Sequence, residues 1–172
     1  MAASRLLHRP RQLLRALAPS EPVTCRTIVD AFLPPAGVAA FAEMPARDRA
    51  HACRVALALP PGAPRDLVAA ALLHDVGKSD GRARAGIPSR IARVVLTRLA
   101  PGILRALALP PPSGRRAGLV LAVHHPALGA VRAREVGCSP RTVWLIAHHE
   151  DGAAAAIDAD LAMLRTADDA AS

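Results

Sequence analysis

The chain has 172 residues and a hydrophobic fraction of 52%, enough for one domain with a sizeable core. Its formal net charge of +8 comes almost wholly from arginine and suits an anionic partner such as a nucleotide, nucleic acid or acidic lipid. Aromatic residues make up only 2%, which argues against a single-stranded nucleic-acid platform built on ring stacking.

Residues 1–30 read as a flexible basic tail. Arg5, Arg9, Arg11 and Arg15 precede the first acidic residue, a pattern that an organelle presequence would also show. From residue 31 on, prolines punctuate an Ala- and Leu-rich chain at helix starts and stops. Helices are predicted over 37–43 and 45–59, then over 66–76 with Gly77 as its C-terminal glycine. Two more are expected over 90–99 and 101–109. A break at His125-Pro126 should separate helices over 116–124 and 126–137, because the residue before proline avoids the helical region. Ser139 caps a helix opened by Pro140 and reaching 152, and a last helix covers 153–169. No strand-like alternation or internal repeat occurs, so the expected fold is a single all-α helical bundle over 31–172.

Cys25, Cys53 and Cys138 are scattered and odd in number. Three reduced cysteines in a cytoplasmic protein are expected. No apolar run reaches the ~18–20 residues of a membrane span. The oily segment 93–109 is broken by Arg98, Pro101 and Arg105, as a core or interfacial helix pair would be. No membrane partner is expected.

The stretch VAAALLHDVGK (68–78) drives an ionisable pair into an apolar helix. Residues three and four apart share a helix face, so Asp75 continues the stripe of Val68 and Leu72, and His74 that of Leu67 and Ala71. His51 lies on a stripe with Val55 and Leu59. His148 and His149 follow Trp144, Leu145 and Ile146, and Asp168 completes a stripe of Ile157, Leu161 and Leu164. His125 sits at the proline break, where a side chain can turn into a cleft. Singly, each histidine reads as a hydrogen-bonded core or surface residue. Together with two inward aspartates they point to metal ligation, since a buried carboxylate needs a cation and imidazole and carboxylate are suitable donors. The number of candidates exceeds the ~3–4 protein ligands of one catalytic metal, which suggests two ions.

His51, His74-Asp75 and Asp168 resemble the H…HD…D signature of the HD-domain superfamily of metal-dependent phosphohydrolases. ALLHDVGK is the most specific piece. DRAHACRVALAL around His51, LRTADD around Asp168, and HPALGA (125–130) and IAHHEDG (146–152) resemble the family too, the last two being similar to the added histidine motifs of its binuclear members. The resemblance implies that His51, His74, Asp75 and Asp168 hold one metal. Asp75 would bridge to a second, completed by His125, His148 and His149, with His124 as the alternative to His125. Lys78 would contact substrate phosphate; it reads equally as a solvated lysine at a helix C-terminus. No GYP motif follows HHEDG, so cyclic di-GMP is not the expected substrate.

The expected function is therefore a phosphohydrolase cleaving a nucleotide or related phosphate ester through a metal-activated water, with Asp75 and Lys78 as catalytic residues. Two divalent ions are expected, Mn, Fe, Co or Ni ahead of Mg or Zn, and no stable nucleic-acid complex. Arginines in 82–98 are candidates for phosphate recognition or a solvated face. The alternatives are a dinucleoside-polyphosphate hydrolase, a non-catalytic regulatory module of the same fold, and a basic helical protein that binds nucleic acid.

Overall fold

The structure is a computed structural model that describes residues 24–171. Ten α-helices pack together without a strand among the described residues, as the Ala- and Leu-rich composition predicts. Helix α4 (Arg65–Leu73) is the centre. Every residue from Leu67 to Leu73 is buried, as expected for a helix that is apolar all round. Helices α3 (Ala46–Ala58), α8 (Pro140–His148) and α10 (Ala159–Ala171) pack around it. A single 3-10 turn (Val76–Lys78) follows α4 and seats against α7 (Ala117–Glu135). Helices α5 (Ile87–Leu99) and α6 (Pro101–Leu107) lie outside, α5 against α7.

Several polar contacts fix this arrangement. Ser139 caps α8 by accepting from the Thr142 amide at 3.0 Å, and its hydroxyl donates to Asp66 in the first turn of α4 at 2.7 Å. Arg141 clamps Asp158, just ahead of α10, and Asp160 in its first turn. Arg90 of α5 reaches both carboxylate oxygens of buried Asp48 on α3, at 2.7 and 2.8 Å.

The structure departs from the sequence reading in five places. Helix α1 (Cys25–Phe32) begins inside the segment expected to be a tail, and buries Cys25 and Val29; residues 1–23 lie outside the described residues. Helix α2 (Pro35–Glu43) follows it. Cys25 and Cys53 form a disulfide between α1 and α3, so only Cys138 is free, against the expectation of three thiols. The helix predicted over 153–169 is two, α9 (Gly152–Ala155) and α10, with Ile157 exposed between them.

Gly77 is not a left-handed cap, because α4 stops at Leu73 and Gly77 has no positive φ. It is needed for approach: a Cβ there would lie 2.3 Å from the His125 carbonyl oxygen and 2.5 Å from the Gly129 amide nitrogen. Finally, Pro126 does not break the chain. It lies inside continuous α7, where its missing N–H leaves the Ala122 carbonyl without its usual helical donor. The His125 ring supplies one instead, Nδ1 lying 3.0 Å from that oxygen.

Candidate metal centre

The central helix α4 ends at the site. His74 and Asp75, next in the chain, are 1% and 2% exposed. Around them stand His51 from α3, His125 from α7, His149 just past α8, and Asp168 from α10. Four imidazoles form one row, His51–His74–His149–His125, with successive ring centroids 5.3, 5.2 and 5.0 Å apart.

Three of these rings share a local construction. His74 Nδ1 faces the Ala71 carbonyl at 2.9 Å, His125 that of Ala122 at 3.0 Å, and His149 that of Ile146 at 2.8 Å. Each carbonyl lacks a helical partner. Ala71 and Ile146 belong to the last turns of α4 and α8, and Ala122 is freed by Pro126. A carbonyl oxygen only accepts, so each Nδ1 carries the proton and each neutral ring turns a bare Nε2 toward the site. This carbonyl bond on the far nitrogen is the usual orienting device of a metal-binding histidine.

Burial keeps two of these rings neutral. It pushes His125 down to about 3, helped by Lys78 and His149, and His149 down to about 4, helped by His74. Asp75 is the opposite case. Burial works against its charge, yet the positive charge that His74, Lys78, His125 and His51 can bring to it holds its carboxyl well below the usual range. Its two oxygens have different roles. Oδ2 takes the Lys78 ammonium at 2.6 Å. Oδ1 lies 3.4 Å from His74 Nε2 and 3.6 Å from His125 Nε2.

The centre thus crowds acceptors together. His125 Nε2 and His149 Nε2 are 3.2 Å apart with no proton to share, and His74 Nε2 and Asp75 Oδ1 are buried without a hydrogen-bond partner. A cation placed among these atoms would relieve the repulsion. Two groups have the required spacing: His51, His74 and Asp168, and Asp75, His125 and His149, the donor atoms of each lying within 4.8 Å of one another. Ligands bound at ~2.0–2.2 Å around one ion lie at similar mutual distances. In the first group His51 Nε2 donates to Asp168 at 2.8 Å. That bond lowers the Asp168 carboxyl against the effect of burial, with help from His74.

Six of the seven residues expected as ligands come together. His148 does not. One residue is ~100° of helix rotation, so His148 points away from its neighbour, stacks on Trp144 at 4.5 Å and bonds the Trp144 carbonyl. His124 also stays outside, bonded to the Ala108 carbonyl at 2.8 Å. Lys78 lies at the site, and its ammonium is held by Asp75.

Glu150 has no role that the sequence alone assigns. Its Oε1 is 3.7 Å from His125 Nε2, and Arg93 of α5 binds it from the other side at 2.8 Å. Arg165 of α10 holds the His149 carbonyl at 2.9 Å. The HHE run flagged the position of Glu150; nothing in sequence pairs it with an arginine so distant. A cleft of about 470 Å³ lies behind the 3-10 turn and is lined by Val76, Gly77, Asp80 and Leu128. None of the candidate ligands lines it, so donor chemistry and not cleft size locates the centre. No protein-family model, curated protein or solved structure matches the chain.

Proposed function

We propose that the protein is a metal-dependent phosphohydrolase acting on a nucleotide or related phosphate ester. The observation that carries this is the buried convergence of three bare imidazole nitrogens and one carboxylate oxygen without a donor among them. The likeness of His51, His74-Asp75 and Asp168 to the HD-domain signature supports it further. His51, His74 and Asp168 would hold one divalent ion, and His125 and His149 a second. Asp75, lying between the groups, would serve both. Such a pair supplies an acidified water and offsets charge on a transferring phosphoryl group.

The protein residues do the rest. The carbonyl bonds to Nδ1 fix each ring before any ion arrives, so little reorganisation accompanies binding. Lys78 holds Asp75 ionised and keeps two further N–H groups for a phosphate oxygen. Arg93 and Glu150 border the second group, where an anionic ester competing for the guanidinium would meet a ready bidentate partner.

The test is a screen of nucleotides and dinucleotides with each of Mn, Fe, Co and Ni, accompanied by metal analysis and an Asp75→Ala control. The wild type is expected to carry about one to two ions per chain and to lose turnover with chelator. Equal turnover by Asp75→Ala would overturn the proposal. A folded, metal-free and inactive wild type would favour a binding module in its place.

A further inference from the structure

Helices α5 and α6 stand apart from the rest of the molecule, since neither contains a buried residue. The inner face of α5 is polar and anchored: Arg90 holds Asp48 and Arg93 holds Glu150. Its outer face is aliphatic. Ile87, Ile91, Val94, Val95 and Leu99 follow the spacing of one helix face, and all are exposed, Leu99 by 80%. Ile103 and Leu107 are exposed on one face of α6, the next helix, and so is Leu109 just beyond it. A lone exposed aliphatic means little; eight of them through two consecutive helices and their end mark an interaction surface.

Charge selects the occupant. No aspartate or glutamate lies between Asp80 and Glu135, a stretch that contains ten arginines. Arg90, Arg93 and Arg132 have acidic partners. Arg84, Arg98, Arg105 and Arg115 are exposed and have no ion-pair partner among the described residues. A second copy would set this basic surface against itself. Residues 1–23, with four arginines of their own, are repelled for the same reason. Single-stranded nucleic acid would find no ring to stack on. An anionic bilayer satisfies both halves: aliphatic side chains enter the headgroup boundary while guanidinium groups reach lipid phosphates.

We propose that the α5–α6 pair docks on the surface of an anionic lipid bilayer, with its aliphatic face in the interface and Arg84, Arg98 and Arg115 on the phosphates. The pair lies flat, since no helix among the described residues is long and apolar enough to cross a membrane. This reverses the expectation that no membrane takes part. That expectation rested on the breaks at Arg98, Pro101 and Arg105, which exclude a span but not a surface pair.

The test is flotation of the full chain with vesicles of phosphatidylcholine alone and of an equimolar mixture with phosphatidylglycerol. Binding is expected only to the mixture, weakening with salt. It should fall by more than ~10-fold in Arg84→Gln/Arg98→Gln, at roughly 5-fold per arginine. It should be lost in Ile91→Ser/Leu99→Ser/Ile103→Ser, exposed substitutions whose unchanged circular dichroism shows the fold intact. Equal binding to phosphatidylcholine alone, no binding at low salt, or unchanged binding by both variants would overturn the proposal. So would a dimer abolished by the serine substitutions without vesicle binding, or capture by polyglutamate in place of vesicles. The readout is binding and not turnover, so it stands or falls apart from the metal chemistry.

Discussion

A histidine that gives its Nδ1 proton to a carbonyl has committed its other nitrogen. His74, His125 and His149 are all committed this way, and for His125 and His149 burial makes the neutral form the stable one. The consequence is a pH dependence with a defined sign. His125 and His149 titrate at about 3 and about 4 when folded, against an ordinary 6.5. Between about 4 and 6.5 the unfolded chain binds more protons, so the metal-free protein loses stability as pH falls through that window. Asp75, held low, adds a further loss at more acid pH as it protonates in the folded state. Thermal midpoints measured on chelated protein should fall as pH is lowered from ~7 to ~4.5, less steeply in His149→Gln. The neighbouring pair gives a sharper contrast. His149→Ala is expected to cost at least ~10–100-fold in metal affinity, while His148→Ala leaves metal content unchanged, both read by metal analysis of the folded variants. Helical stripes were enough to find His51, His74, Asp75, His149 and Asp168, because a buried face and its polar end residue share one period. They could not separate His148 from its neighbour, since that depends on how α8 is rotated against α7.

At the scale of elements, the site depends on where α4 is allowed to stop. The 3-10 turn brings Asp75 beside His125, and it seats on α7 only because Gly77 has no side chain. Gly77→Ala would place a carbon 2.3 Å from the His125 carbonyl and 2.5 Å from the Gly129 amide, both backbone atoms with little freedom to yield. The expected result is a loss of ~1–3 kcal/mol in denaturant unfolding. A fall in metal affinity should accompany it as Asp75 and His125 separate. Unchanged affinity would mean that the turn does not set their spacing. The sequence marked both punctuating residues here and misread the purpose of each. Gly77 looks like a cap and Pro126 like a stop because glycine and proline carry local meanings. Their actual roles are tertiary: one permits contact between two backbones, the other frees a carbonyl for a ligand ring. The same blindness to distance hid the Arg90–Asp48 and Arg93–Glu150 pairs, whose members are far apart in the chain.

At the scale of the whole molecule, a disulfide and the candidate metal centre attach to opposite sides of one helix. Helix α3 carries His51 toward the metal centre and Cys53 toward α1, where it bonds Cys25. Two residues along a helix correspond to ~200° of rotation, so these side chains leave the helix in nearly opposite directions. The disulfide closes a loop across a sequence separation of 28, and a loop of that length stabilises by about 3–4 kcal/mol through the unfolded chain. A metal bound at the candidate centre would stabilise separately, by mass action on the folded state, in proportion to the logarithm of its free concentration. Because the two act through opposite faces and different reference states, their effects should add. Reduction and chelation, applied singly and together, are expected to lower unfolding free energy with a coupling below ~0.5 kcal/mol. Cys25→Ala should reproduce the effect of reductant and leave metal content intact. A large coupling would place the disulfide's strain or packing on His51 itself, and α3 would then transmit redox state into the metal centre.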